Sequence, residues 1–307
     1  MIYLILALVL IAVICVIAYF FCMAFLKLDT GNLDDMNNPA NKPLSEHHEV
    51  IAKGIEYINS IEFEWVETVS FDGLKLMARY FNNNSDKTIF LFHGYRSSAS
   101  RDFSCAVKMY LDFGFNILLV DQRSHGKSEG KLITFGVKES RDVVSWLEFV
   151  NKSFNPKKII ISGMSMGATT VLLSLNYKLP NNVVGVIADS GFTSPVDIIK
   201  LVAKKSMKIN AGFFIPILNA CCLLFGGFSL YKSNTIKSAK KSDLPILLIH
   251  GKADNFVPPE MSQSVFDERK ENTEIFLVEN AGHGLGFLVD TKGAMEKLDA
   301  FIKKCIQ

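Results

Sequence analysis

The chain has 307 residues, 49% of them hydrophobic and 21% charged. That excludes a disordered or fibrous protein and allows one large domain or two small ones. Lys and Arg total 33 against 31 Asp and Glu, a formal charge of +2, so the basic field expected of a nucleic-acid binder is absent.

No residue from Met1 to Leu26 is charged. As a helix this run would be ~39 Å long, more than the ~30 Å hydrocarbon core of a bilayer. A buried core helix would show a polar face, and a cleaved signal peptide would show a basic start and a shorter apolar run. The expectation is therefore an uncleaved single-pass membrane anchor over 1–27. Lys27 and Lys42, set among Asp29, Asp34 and Asp35, leave the side of the catalytic part unresolved. The cysteines show no metal-type or disulfide-framework spacing.

Residues 28–44, rich in Asn, Asp, Gly and Pro, mark a tether. Ser45 is placed to cap a short helix through Ile58, with Ile51, Ile55 and Ile58 on one face, so 28–60 reads as linker plus helix. His47, His48 and Glu49 point in different directions on a helix and read as a solvated start, not a metal site.

From residue 61 the period changes. Two alternating runs, Phe63 to Phe71 and Leu74 to Phe81, meet at Asp72-Gly73, a hairpin signal. Short continuous apolar runs follow at 88–92, 115–120, 158–162, 183–188, 245–250 and 274–278, the pattern of strands buried on both faces of a parallel sheet. Helical patterns lie between most of them, at 101–113, 136–153, 166–179 and 259–270. The alternation predicts an α/β domain over 61–307, with a mostly parallel central sheet, helices on both faces and ligands at the C-terminal strand ends. Residues 192–243 carry no strand signal and predict a helical lid insertion, broken by Pro216 and Gly226-Gly227. Its apolar content suits a pocket lining or lipid contact.

The segment 163–167, Gly-Met-Ser-Met-Gly, fits G-x-S-x-G between a strand and a helix. In that context the serine sits on a strained turn that lifts its hydroxyl clear of the sheet. The nucleophile candidate is Ser165. A serine needs a base and an orienting carboxylate. Of six histidines, His283 follows the last strand in a glycine-flanked loop that can return over the strand ends, and it is the base candidate. Two carboxylates follow strands between serine and histidine. Asp254, a few residues beyond its strand, has the reach to meet an imidazole; Asp189 abuts its strand and stays the alternative. The oxyanion donors expected are the backbone N–H groups of Met166, next to the nucleophile, and Tyr95, in the loop after the first parallel strand.

The set HGY (93–95), DQRSHGKSEG (121–130), GMSMGA (163–168), ADSGFTSP (188–195), HGKADNFVP (250–258) and AGHG (281–284) resembles the α/β-hydrolase superfamily over residues 60 to 305. More narrowly it is similar to a membrane-anchored bacterial branch of serine aminopeptidase-like and acyltransferase- or thioesterase-like hydrolases. The resemblance implies the α/β-hydrolase fold, with Ser165 as nucleophile, Asp254 as acid and His283 as base. It further implies that Arg123, His125, Gly126 and Ser128 form an ordered loop after the fourth strand. The expected activity is a serine hydrolase cleaving carboxylic esters or related acyl bonds through an acyl-enzyme. Anchor and lid lean it toward lipid-like acyl substrates. Acyl transfer or peptide cleavage by the same residues is the alternative, with a non-catalytic scaffold far behind. The chemistry calls for no cofactor and no metal. The partners expected are a small ester or acyl substrate and the membrane, with no nucleic acid; the oligomeric state is left open.

Overall fold

The computed structural model describes the chain from residue 2 to 307, apart from the side chains of 2, 4, 6, 7, 9–15, 206 and 207. It opens with helix α1 (Ile2–Phe25), a 3-10 turn at Pro39–His47 and α2 (His48–Ser60). Eight strands follow: β1 (Glu64–Val69), β2 (Lys75–Phe81), β3 (Lys87–Phe92), β4 (Asn116–Asp121), β5 (Lys158–Met164), β6 (Val183–Asp189), β7 (Ile246–Gly251) and β8 (Thr273–Val278). Between β3 and β6 lie α3 (Ala99–Asp102), α4 (Ala106–Asp112), α5 (Glu139–Phe154) and α6 (Met166–Ser174). The insertion contributes α7 (Pro195–Met207), α8 (Ile215–Cys221) and α9 (Thr235–Ala239). The chain closes with α10 (Glu260–Glu268), α11 (Gly286–Val289) and α12 (Thr291–Ile306).

The strands form one sheet in the order β1-β2-β4-β3-β5-β6-β7-β8. The β1–β2 and β2–β4 pairs are antiparallel and the others parallel. Both faces of the central strands are apolar because both are covered. Phe90, Leu118 and Ile161 meet Trp146 and Leu147 of α5 and Val171 of α6 on one face. Ile89, Ile117 and Ile160 meet Val107 of α4 and Leu298 and Phe301 of α12 on the other.

Several elements differ from their sequence reading. The helix read over 101–113 is two, because Phe103–Cys105 break it while the Asp102 carboxylate turns back to the loop after β3. Ser45 lies inside the 3-10 turn rather than capping α2; Pro43 sits in that turn, and Asn38 caps it by accepting from Ala40 N. Pro216 starts α8 instead of breaking a helix, whereas Gly227, at φ +64°, does end the helical stretch that follows it. The C-terminal helix α12, capped by Asp290 at Gly293 N, has no counterpart among the helices read from the sequence.

The segment read as a tether is folded on itself: Asn38 Nδ2 donates to the carbonyls of Thr30 and Asn32, and buried Asn41 donates to those of Leu33 and Asp35. The anchor expected over 1–27 falls in part on side chains outside the described ones. Among the described residues no helix is long and apolar enough to cross a membrane.

The loop after β4 is pinned by an ion pair. Arg123 donates through Nε and Nη2 to both oxygens of Asp142, each at 2.6 Å, and to both oxygens of Asp72 at 3.0 Å. Arg123 and Asp142 are almost wholly buried, and these paired carboxylates raise the guanidinium's affinity for its proton. Asp72 is the hairpin turn residue, so one arginine joins turn, loop and α5. Asp142→Ala strands a buried cation and is expected to lower the unfolding free energy by about 3–5 kcal/mol, read from urea melts. Asp72→Asn, at a half-exposed site, should cost clearly less.

Candidate active site

Four loops at the C-terminal ends of neighbouring strands converge. The turn after β5 carries Ser165 at φ +55°, ψ −115°, a strained conformation for a residue with a side chain. A Cβ on Gly167 would fall 1.8 Å from the Phe92 carbonyl oxygen, and one on Gly163 would fall 2.2 Å from the Gly167 backbone. Strand and helix therefore cross too closely for anything but glycine on either side of the serine. Ser165 N donates to the Asp189 carbonyl at 2.7 Å, which sets the turn against β6.

The loop after β8 brings His283 back over this turn. Its Nε2 lies 2.9 Å from Ser165 Oγ and its Nδ1 2.6 Å from Asp254 Oδ2, in the loop after β7. A carboxylate only accepts, so Nδ1 carries the proton and Nε2 presents its lone pair to the serine hydroxyl. The other Asp254 oxygen accepts from the Phe256 and Val257 amides, both at 2.8 Å. His250 Nε2 lies 3.2 Å from Oδ2 and donates to the Val257 carbonyl at 2.9 Å. Burial alone would raise the Asp254 carboxyl, but the bonds from His250, His283 and Val257 outweigh it and hold it well below the usual carboxylate range. Its stabilising contribution is therefore present at neutral pH and lost only as acid takes the pH down through that lowered value. Asp189 makes no hydrogen bond to His283; it accepts from Ser190 Oγ at 2.8 Å, and burial raises its carboxyl.

The loop after β3 is held by three groups. Gly94 N donates to Asp102 at 2.7 Å. His93 accepts from Gln122 N and donates to the Gly94 carbonyl, and His125 accepts from Arg96 N and donates to the Arg123 carbonyl. These bonds fit two neutral imidazoles, and burial lowers the affinity of both for a second proton. With Gly94 and Arg96 engaged, the N–H of Tyr95 meets no acceptor among the described residues. The N–H of Met166 stands at the first position of α6, where an amide has no intrahelical partner. The Tyr95 side chain turns away, stacking on Phe135 and donating its hydroxyl to the Ala24 carbonyl at 2.9 Å.

A cavity of about 210 Å³ opens on Ser165, with Phe103, Met164, Ile187, Phe256 and Phe287 in its wall. Residues of the insertion pack instead against the start of α6, where Phe192, Leu218 and Phe228 share one cluster with Phe135, Met166 and Phe25. The five residues expected from the sequence, Ser165, Asp254, His283, Tyr95 and Met166, thus stand on adjoining loops. His250 and Asp102 went unread. The four-residue spacing from His250 to Asp254 was the available signal for the first, and no local pattern marks the second. Among the described residues no cluster of His, Cys, Asp or Glu could hold a metal.

The family described as serine aminopeptidase, S33 matches residues 83–219. The chain is 24% identical to the YqkD protein of Bacillus subtilis over 206 residues, 67% of each chain. It is 25% identical to the membrane protein YNL320W of Saccharomyces cerevisiae, over 70% of this chain and 72% of that one. Its fold superposes on the Pyrococcus furiosus esterase Pf2001 with a TM-score of 0.65 and 26% identity, covering 82% of this chain and 96% of that one. The chain belongs to the α/β-hydrolase superfamily. In α/β-hydrolases of this form the loops at the carboxyl ends of the strands carry the chemistry, and in this one they carry the five residues described above. The fold and the matched family are those of a hydrolase.

Proposed function

We propose that this α/β-hydrolase is a serine hydrolase that cleaves carboxylic esters through an acyl-enzyme. The observation that carries the reading is His283 bridging Ser165 Oγ and Asp254 with one ring nitrogen each. Ser165 attacks the acyl carbon while His283 Nε2 takes its proton. Asp254 fixes the tautomer and faces the imidazolium that forms. The Tyr95 and Met166 amides receive the oxyanion. His283 then returns the proton to the leaving alcohol, and a water activated by the same nitrogen releases the acid.

The cavity beside Ser165 is walled mainly by apolar side chains, which suits an aliphatic acyl chain. A peptidase reading draws on the matched family, but an aminopeptidase needs a free carboxylate for the substrate amine. Of the two other carboxylates near the serine, Asp102 is bonded to Gly94, Ser97 and Arg101, and Asp189 accepts from Ser190 Oγ. The charge-free run to Leu26, with the membrane relative, supports α1 as a single-pass anchor.

The test is a panel of p-nitrophenyl esters of graded acyl length beside aminoacyl anilides, run on the full chain in detergent. Short and medium esters should turn over fastest and anilides barely. Anilides turning over faster than every ester would overturn the ester reading.

A further inference from the structure

The lid has an outer face that the chemistry at Ser165 does not use. Inward, Ile215, Leu218 and Cys222 are buried, the last two packed with Phe25 and Phe228. Outward, Phe213 is 84% exposed, Leu224 77% and Phe225 67%, with Phe214, Ile217 and Leu223 also open. From 213 to 225 the chain holds no charged residue. The one amide side chain there, Asn219, is turned inward to Ser229 and the Leu230 backbone. A lid helix bathed in water keeps a polar outer face; one apolar all round is covered by protein or lipid. Six large side chains in one short stretch also exceed the scattered apolar residues normal on a soluble surface.

Charge indicates what covers them. From Ile198 to Ser242 there are eight lysines and no Asp or Glu, although the whole chain carries only +2. Lys200, Lys204, Lys205 and Lys208, on α7 and its C-terminal cap, lead straight into the apolar stretch and are exposed. Among the described residues none of the four forms an ion pair. The patch also continues onto α1: Phe225 meets the ring of Phe21 at 6.1 Å, and Tyr19 and Met23 are exposed beside it in the sequence.

We propose that this face of the lid, Phe213 to Phe225 with Lys200, Lys204, Lys205 and Lys208, docks on an anionic phospholipid surface. It forms a membrane contact additional to α1. The inference rests in part on the anchor reading, which sets the patch beside a bilayer. Apolar side chains enter the acyl boundary, while lysines at its edge meet headgroup phosphates, the pairing that holds interfacial amphipathic elements.

The experiment uses the full chain in vesicles of phosphatidylcholine, with or without phosphatidylglycerol, whose acyl chains are brominated near the glycerol. Leu224→Trp adds an indole at an exposed position, read as the emission difference from the parent chain. Bromine should cut that difference by roughly half in anionic vesicles, because an interfacial face reaches ~5–10 Å into the boundary. High salt, or reversal of the four lysines to Glu, should restore it. An unquenched indole in either lipid overturns the proposal. So does quenching that ignores both anionic lipid and lysine reversal. An indole that is shielded but unquenched, in a chain that cross-links to itself through this face, shows a second copy as the occupant and also overturns it. Carbonate extraction reads the anchor separately: a chain that extracts yet is quenched removes the anchor reading and leaves this one. No arm depends on ester turnover.

Discussion

Ser165→Ala is expected to reduce ester hydrolysis on the order of 10⁶-fold, to the residual rate that oxyanion donors and substrate binding supply alone. The same change should abolish labelling by a fluorophosphonate probe, because among the described residues no other hydroxyl bonds to the His283 imidazole. Fold should survive it. Alanine also accepts the Gly-x-Ser-x-Gly turn, and removing a hydroxyl from a strained residue leaves the backbone bond from this position to the Asp189 carbonyl in place. A variant with an unchanged melting temperature and no labelling separates chemistry from folding. Labelling that persists in Ser165→Ala would refute the nucleophile.

Asp254→Asn should lower turnover by about 10⁴-fold while leaving substrate binding nearly intact. The geometry fixes the direction. Oδ1 accepts two backbone amides, so the asparagine oxygen must stay there and its NH2 must face His283. A donor in that place forces the imidazole to keep its lone pair on Nδ1 and its proton on Nε2. The serine then faces an N–H that cannot take its proton. Asp189→Asn, which leaves the imidazole pairing alone, should keep most of the activity. Steady-state kinetics of both variants decide the acid: a severe Asp189→Asn beside a mild Asp254→Asn would reassign it.

Much of this was legible in the sequence because the relevant physics is local. Strands covered on two faces must be continuously apolar, and Ile89 through Phe92 or Ile159 through Ile161 read that way. The Asp72-Gly73 turn and the glycines on either side of Ser165 mark backbone shapes that few other residues tolerate. What escaped depends on closure between segments. Asp102 reaches Gly94 only because α3 stops where it does, and His250 meets Asp254 only after the intervening loop folds back. An uncharged run such as 1–26 gives no sign that Phe25, its next-to-last residue, is lodged among Phe135 and Phe228. The terminal helix could have been read, since Asp290 and the spacing of Ala294, Leu298, Phe301 and Cys305 carry both signals it needs.

The last turn of α1 ends with exposed carbonyls, and the loop that shapes the oxyanion site completes them. Tyr95 donates to Ala24, and Arg96 donates to Met23 and Leu26. Cutting the chain after residue 26 to make it water-soluble would therefore pull a keystone from the catalytic arch. Two side-chain donors and the Ile133 amide would lose their acceptors, and Phe135 one of its aromatic neighbours. A shortened enzyme that folds yet works poorly would be reporting that missing stone, so kinetic comparisons belong on the intact chain in detergent or lipid.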